Sequence, residues 1–321
     1  MTLRQLLTFS MVAELGSLRA AAAALGISEP AVSSALAALR RDLGDVLFVR
    51  AGGGIALTEG GRALAVHAEE LVGLAEAIRR DVAQARHSVG GLRVLATAAF
   101  AEHAAGRLLD VFIGRMPGAL LEVVVEPAVD VPALLTRRSY DIALGARPEA
   151  AVMAGVESLP ILRYSRVLVA APSHPLGRAH GQVAAPRLRE HQWFSGPRGI
   201  EDATEEGRWL AAGGNTPNMV ALTSETAALA AVRSGEGVML ALEHVVRTEL
   251  RTGALVAVAS AGMPIVGMWW TSMLDRGRST GAARELQHFA TTAAATAAMV
   301  AQRGSRGLAH RGSKVHVALW S

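Results

Sequence analysis

The stretch GSLRAAAAALGISEPAVSSALAAL, residues 16–39, decides how the N-terminal part of the chain folds. Gly16 and Gly26 are helix stops, Ser17 and Ser28 are helix openers, and Pro30 sits in a first turn where its missing N–H removes no bond. A short helix over Leu18–Leu25, a tight turn and a third helix opening at Ser28 are therefore predicted. In that third helix Val32, Leu36, Leu39 and Leu43 recur at helical spacing and should bury. Glu29, Ser33, Ser34, Ala37 and Arg41 are left facing out.

Working outward, Leu3–Leu15 places Leu6, Phe9, Val12 and Ala13 on one face and ends at Gly16, giving a first helix. Downstream, residues 46–57 carry β-branched and apolar side chains around Gly52, Gly53 and Gly54, the pattern of a two-stranded wing. Thr58 restarts a helix. From Glu59 to about Ala85 the positions Leu64, Leu71, Leu74, Ile78 and Ala85 follow a near-heptad spacing interrupted by His67 and Asp81. At about 1.5 Å per residue this helix is roughly 40 Å long. It reads as a dimerisation seam, the alternative being an ordinary amphipathic core helix.

A helix whose exposed N-terminal residues are Ser28, Glu29, Pro30, Ser33 and Ser34 can approach bases in a major groove closely, because those side chains are short. Any compact three-helix domain could show the same face. Net charge does not strengthen the case, although the pI is about 10.4. Residues 1–89 balance nine Arg against nine acidic residues, and residues 90–302 balance nineteen against nineteen. The excess of +4 is Arg303, Arg306, Arg311 and Lys314, in a Gly-, Arg- and Ser-rich tail expected to be disordered.

Beyond Ser88–Gly91 the pattern changes to strands alternating with helices. Residues 92–97, 120–125, 141–144, 166–171 and 238–242 are short apolar or β-rich runs, which predicts an α/β domain with a mainly parallel sheet. The chain contains no cysteine, which excludes disulfide frameworks and thiol switches. Its ten histidines form no metal-type spacing, so neither metal nor cofactor is expected. No signal peptide or membrane-length apolar run is visible, and a cytoplasmic protein is expected.

The order of the residues says more. Leu6, Phe9, Gly16-Ser17-Leu18, Ala21-Ala22, Leu25-Gly26-Ile27-Ser28, Pro30-Ala31-Val32-Ser33, Leu36, Leu39, Leu43-Gly44, Leu47-Phe48, Arg50, Leu57-Thr58 and Gly61 fall at the spacing of the LysR-type transcriptional regulators. The chain resembles that family from Leu3 to about Ala290, most strongly over its first 61 residues. The resemblance implies a winged helix-turn-helix over residues 1–58, a linker and dimerisation helix over 59–87, and an effector domain over 88–302. That domain would have the two-lobed α/β fold of periplasmic binding proteins. Lobe one would take about 91–162 and 264–290, lobe two about 163–263, with crossovers near 159–166 and 259–266.

The resemblance implies double-stranded DNA, a small-molecule effector and a second or fourth copy of the chain as partners, with no membrane. Ser17, Ser28, Glu29, Pro30, Ser33, Ser34 and Arg50 would meet DNA, and Leu64, Leu71, Leu74 and Ile78 would form the seam. A surface charge is the other reading of Arg50. Where the family usually has Gln, this chain has Glu29, whose carboxylate repels phosphate but can accept from a cytosine N4 amine. Arg40 also departs, standing where an acidic residue is common.

Effector contacts would come from Thr97, Ala98, Ala99 and Phe100, from Glu126, and from Ser195, Gly196 and Arg198, with Ser224 and Glu225 as a further group. The Ser195–Gly199 loop pairs a hydroxyl with a guanidinium able to grip an anion, or it is an ordinary turn. Ala98 and Ala99 supply no hydroxyls, and Glu126 argues against a simple anionic effector.

Three other functions compete. A solute-binding protein would fit the C-terminal half, but no leader is visible and 90 further residues stand in front. An enzyme would call for a nucleophile elbow, a P-loop or a dinucleotide fingerprint, and none is present; Gly235-Glu236-Gly237 reads as a tight turn. An architectural DNA-binding protein would lack the effector response.

Overall fold

The computed structural model describes residues 1–51, 54–85, 91–116, 120–125, 130–148, 155–197, 199–200, 202, 204–214, 217–301 and 315–319. Contacts divide the chain into two units, Met1–Gly91 with Asp130–Tyr140, and Leu92–Val129 with Asp141–Ser321. The span 88–302, expected to form one effector domain, therefore gives residues 88–91 and 130–140 to the first unit.

The first unit opens with α1 (Leu3–Leu15), α2 (Leu18–Leu25) and α3 (Glu29–Leu43). Each start is capped by a hydroxyl: Thr2 accepts from Gln5 N, Ser17 from Ala20 N, and Ser28 from Ala31 N. Each stop is a glycine in the left-handed region, Gly16, Gly26 and Gly44, which carries no Cβ penalty there. The chain bends by 108° between α2 and α3, within the range of a helix-turn-helix. Strands β1 (Phe48–Ala51) and β2 (Gly54–Leu57) form an antiparallel hairpin that pairs Arg50 with Ile55, and this is the expected wing.

One core unites these elements through Leu6, Phe9, Val12, Ala21, Ala22, Val32, Leu36, Leu39 and Leu47. Leu43 is 43% exposed, contrary to expectation. It is the last residue of α3, beyond the reach of α1 and α2. The long helix α4 (Glu59–Ala85) docks its first turns on this core, and a short helix, Val131–Thr136, lies against it further along. There Glu69 accepts two hydrogen bonds from Arg137, both of 2.9 Å.

The second unit is built on a ten-stranded sheet. For simplicity its strands are β3 (Gly91–Ala96), β4 (Leu120–Val125), β5 (Ile142–Gly145), β6 (Val156–Ala170), β7 (Gln192–Ser195), β8 (Asn218–Ala221), β9 (Val238–Leu242), β10 (Val256–Ala257), β11 (Ile265–Leu274) and β12 (Val315–Leu319). Their order is β12-β4-β3-β5-β11-β6-β9-β7-β8, with β10 beside β6. The lobes themselves are parallel: β3 pairs with β5, and β7 with β8 and β9. The long strands β6 and β11 run antiparallel to each other through both lobes and are the crossovers; β6 contains the expected 159–166 and extends it at both ends, whereas β11 lies at 265–274, largely beyond the expected 259–266. The sheet is thus mixed where a mainly parallel one is predicted.

Lobe one carries its own core, including Val94, Phe100, Leu108, Ile142, Trp269 and Phe289. Lobe two packs apolar side chains on both faces of its strands, around Trp193 and Leu240 on one and Phe194 and Ala241 on the other. The tail, expected to be disordered, contributes β12, which adds parallel to β4 at the sheet edge. Val315, Val317 and Leu319 give five residues a strand-like alternation, and β4 offers an unpaired edge.

Candidate functional sites

On α3, Val32, Leu36 and Leu39 are buried, so geometry turns Glu29, Pro30, Ala31, Ser33, Ser34 and Ala37 to solvent. This is a two-turn face of short side chains at a helix N-terminus. The Oγ atoms of Ser17 and Ser28 accept backbone N–H groups as caps, and a hydroxyl used in this way keeps its own O–H as a donor. Arg50 is exposed on β1. Asp45, at the base of the wing, has its carboxyl pulled below the usual range by bonds from Leu47 N and from the Thr58 hydroxyl, fixing the entry to α4.

The seam residues divide. Leu71, Leu74 and Ile78 are 44%, 37% and 54% exposed, and Val82 follows on the same stripe. Leu64 instead packs against the helix-turn-helix core. A pure periodicity reading includes it because it lies seven residues before Leu71. The first turns of α4, however, turn that position toward Leu57 and the wing.

In the second unit the charged centre lies on β6, where Arg166 pairs in register with Ile265 and Leu242. Its guanidinium is buried. It donates to Glu225 at 3.0 and 3.3 Å and to the Leu240 carbonyl at 3.1 Å. Its Nε forms an ion pair with Glu206 that lacks the alignment of a hydrogen bond. Burial would lower the Arg166 pKa, but the charges of Glu225 and Glu206 outweigh it and raise it.

In chain order the helices after α4 are α5 (Ala98–Phe100), α6 (Gly106–Arg115), α7 (Val131–Thr136), α8 (Ala185–Arg189), α9 (Glu205–Ala212) and α10 (Glu225–Arg233), which Glu225 opens. Ser224 caps α10 by accepting from Ala227 N at 3.0 Å. Burial would raise the Glu225 carboxyl, but Arg166 and then the hydrogen bond from His103, at 2.9 Å, hold it down at about 2. Glu225 is therefore ionised, and His103 Nε2 is the donor. Gly196 backs onto it, since a Cβ there would lie 3.2 Å from Glu225 Cγ.

Around this centre stand Tyr164, whose hydroxyl donates to Glu205 at 3.4 Å, and Trp269, whose ring meets those of Phe100 and Tyr164 at 5.0 Å. Burial, then the charges of Glu206 and Glu205, raise the Tyr164 pKa. His244 lies 6.1 Å from Trp269; its Nε2 is buried and makes no hydrogen bond among the described residues. Burial, then the positive side chains nearby, lower its pKa to about 4.

Of the expected effector residues, Ser224, Glu225 and Gly196 meet at this centre. Thr97, Ala98 and Ala99 are half-buried at the end of β3, with Thr97 N donating to the Leu144 carbonyl. Phe100 is fully buried in lobe one, where its ring meets Trp269, which also packs against Tyr164. The Ser195 hydroxyl donates to its neighbour's carbonyl and is almost fully buried. Glu126 and Arg198 lie outside the described residues. The sequence reading missed Arg166, Glu206, His103 and His244. A signal for Arg166 exists: alternation along β6 places it inward between Tyr164 and Leu168, and a lone cation there demands carboxylate partners.

The profile described as a bacterial regulatory helix-turn-helix protein of the lysR family matches residues 3–62, and that of the LysR substrate binding domain matches residues 85–295. The chain belongs to the LysR family, whose members are transcriptional regulators rather than enzymes. A helix-turn-helix-type transcriptional regulator of Mycobacterium tuberculosis is 36% identical to it over 324 residues, covering 100% of both chains. The regulator CfxR of Cupriavidus necator is 30% identical, covering 90% of each. Among solved structures, full-length CbnR complexed with target DNA superposes with a TM-score of 0.57 at 21% identity, covering 90% of this chain and 99% of that one. Among the described residues no single helix is long and apolar enough to cross a membrane.

Proposed function

We propose that this regulator is a cytoplasmic protein that reads paired DNA half-sites with the exposed face of α3. Ser28, Glu29, Pro30, Ser33 and Ser34 face the base edges, while Ser17 and Arg50 hold phosphates. The observation that carries this reading is the two-turn face of short side chains on α3, set by a capped N-terminus and a buried Val32-Leu36-Leu39 stripe. Leu71, Leu74 and Ile78 on α4 are the apolar stripe through which a second copy adds a second reading helix. The expected boundaries at residues 58 and 87 are compatible with α4 beginning at Glu59 and ending at Ala85.

The effector is a small molecule held between the lobes, near Thr97–Ala99, Gly196 and the Arg166–Glu225 pair. Its binding changes the angle between the lobes and thereby the spacing of the DNA-reading helices. A genome-wide map of bound sites tests the DNA reading: recurrent paired half-sites support it, and binding without sequence preference refutes it. A thermal-shift screen of metabolites on the full chain tests the sensing arm, and absence of any stabilising compound favours the architectural alternative.

A further inference from the structure

The first amides of α10 point at a carboxylate from the other lobe. A helix leaves its first N–H groups without intrahelical partners. Ser224 satisfies one of them, at Ala227. Glu102 accepts from two more, Glu225 N at 2.9 Å and Thr226 N at 2.6 Å, and from the Thr226 hydroxyl. Glu102 stands between β3 and α6, on the lobe-one side, and Thr226 belongs to lobe two, 124 residues away in sequence.

Glu102 belongs to a π-helical turn, Ala101–Ala105, inserted ahead of α6. Such turns carry an extra residue and redirect side chains. Here two consecutive residues both reach the start of α10: Glu102 binds its amides, and His103 binds the Glu225 carboxylate. In a regular helix neighbouring side chains diverge by about 100°.

The contact is finely balanced. Two carboxylates, Glu102 and Glu225, are brought to one helix end, and mutual repulsion opposes closure. Arg166 and His103 hold the charge of Glu225, while the helix N-terminus favours that of Glu102. We propose that Glu102 is a built-in clasp that closes the cleft across the two lobes when no effector is bound. This rests on the reading of the cleft as the effector site. A ligand entering between the lobes must release the clasp, so the effector response includes its opening.

The test is amide hydrogen exchange at Glu225 and Thr226 in the full chain. Glu102→Ala should accelerate exchange at both by about tenfold, the effect of one lost charge-assisted bond. Glu102→Gln, which keeps one acceptor oxygen, should fall between, and Thr226→Val should leave the Glu225 amide protected. Sodium acetate at about 0.1 M should slow exchange in Glu102→Ala and leave the wild type unchanged, against sodium chloride at the same ionic strength. Equal exchange in the wild type and both Glu102 variants would overturn the clasp, as would acetate acting on the wild type and Glu102→Ala alike. A clasp that responds while no metabolite binds would instead remove the effector reading and leave the contact standing.

Discussion

Replacing Arg166 with Met removes the cation that faces Glu206 and Glu225 while keeping most of its apolar length. The cost follows from the Glu225 carboxyl, which stands at about 2 against an ordinary 4.5. At about 1.4 kcal/mol per pH unit this difference is worth about 3 kcal/mol, in the range expected when one partner of a buried pair is removed. With Arg166 gone, burial becomes the dominant influence on Glu225 and drives its pKa up. The sign is therefore distinctive. In the wild type the contribution of Glu225 is fully present above pH 4.5 and is lost only as pH falls through about 2, so it is constant between pH 7 and 5. In Arg166→Met, Glu225 takes up a proton within that window, and the penalty shrinks as pH falls. Urea denaturation of the full chain at pH 7 and pH 5 measures both, and adding Glu225→Gln to Arg166→Met should recover part of the loss. A loss under about 1 kcal/mol at pH 7, or one equal at both pH values, would refute the reasoning.

Other outcomes follow from the same geometry. Ser28→Ala removes the cap of α3 and should lower stability by about 1 kcal/mol, read from the denaturation midpoint. Leu71→Glu with Ile78→Glu changes two exposed positions on α4, so helix content measured by circular dichroism should hold while sedimentation shows loss of self-association. His244 stays neutral down to about pH 4 in the folded chain, against an ordinary 6.5. Its contribution is therefore intact above pH 6.5 and is lost as pH falls toward 4; the melting temperature should drop less over that interval in His244→Phe than in the wild type.

The helix-turn-helix was legible because its determinants are local. Ser17, Gly26, Ser28, Pro30 and Gly44 act within a few residues of themselves, and each sits at the helix end it predicts. The charged centre of the cleft was not, because it gathers residues 103, 166, 206 and 225 from four elements and no local period connects them. Glu225 reads from the sequence as a residue at a helix start, but its partners, Arg166 on β6 and His103 ahead of α6, are brought to it only by the tertiary fold. The length of β11 was hidden for another reason. Ile265, Val266, Trp269, Trp270 and Thr271 all favour strands, but Gly267 breaks the run and its continuous apolar character does not distinguish a strand from a buried helix; pairing with β6 decides it. Leu64 shows the limit of periodicity: a heptad position can face the core when the helix begins against a neighbouring domain element.

The central claim is that α3 reads base sequence, and Glu29 gives it the sharpest test. Glu29 is the first residue of α3, exposed, and acidic where the resembling family usually carries Gln. Selection of bound sequences from random duplex DNA should be run with the full-length wild type and with Glu29→Gln. The account predicts a paired half-site motif for the wild type and a changed base preference at one position of each half-site for the variant. The same motif from both proteins would contradict the role of Glu29, and enrichment of no motif by either would contradict sequence reading by α3.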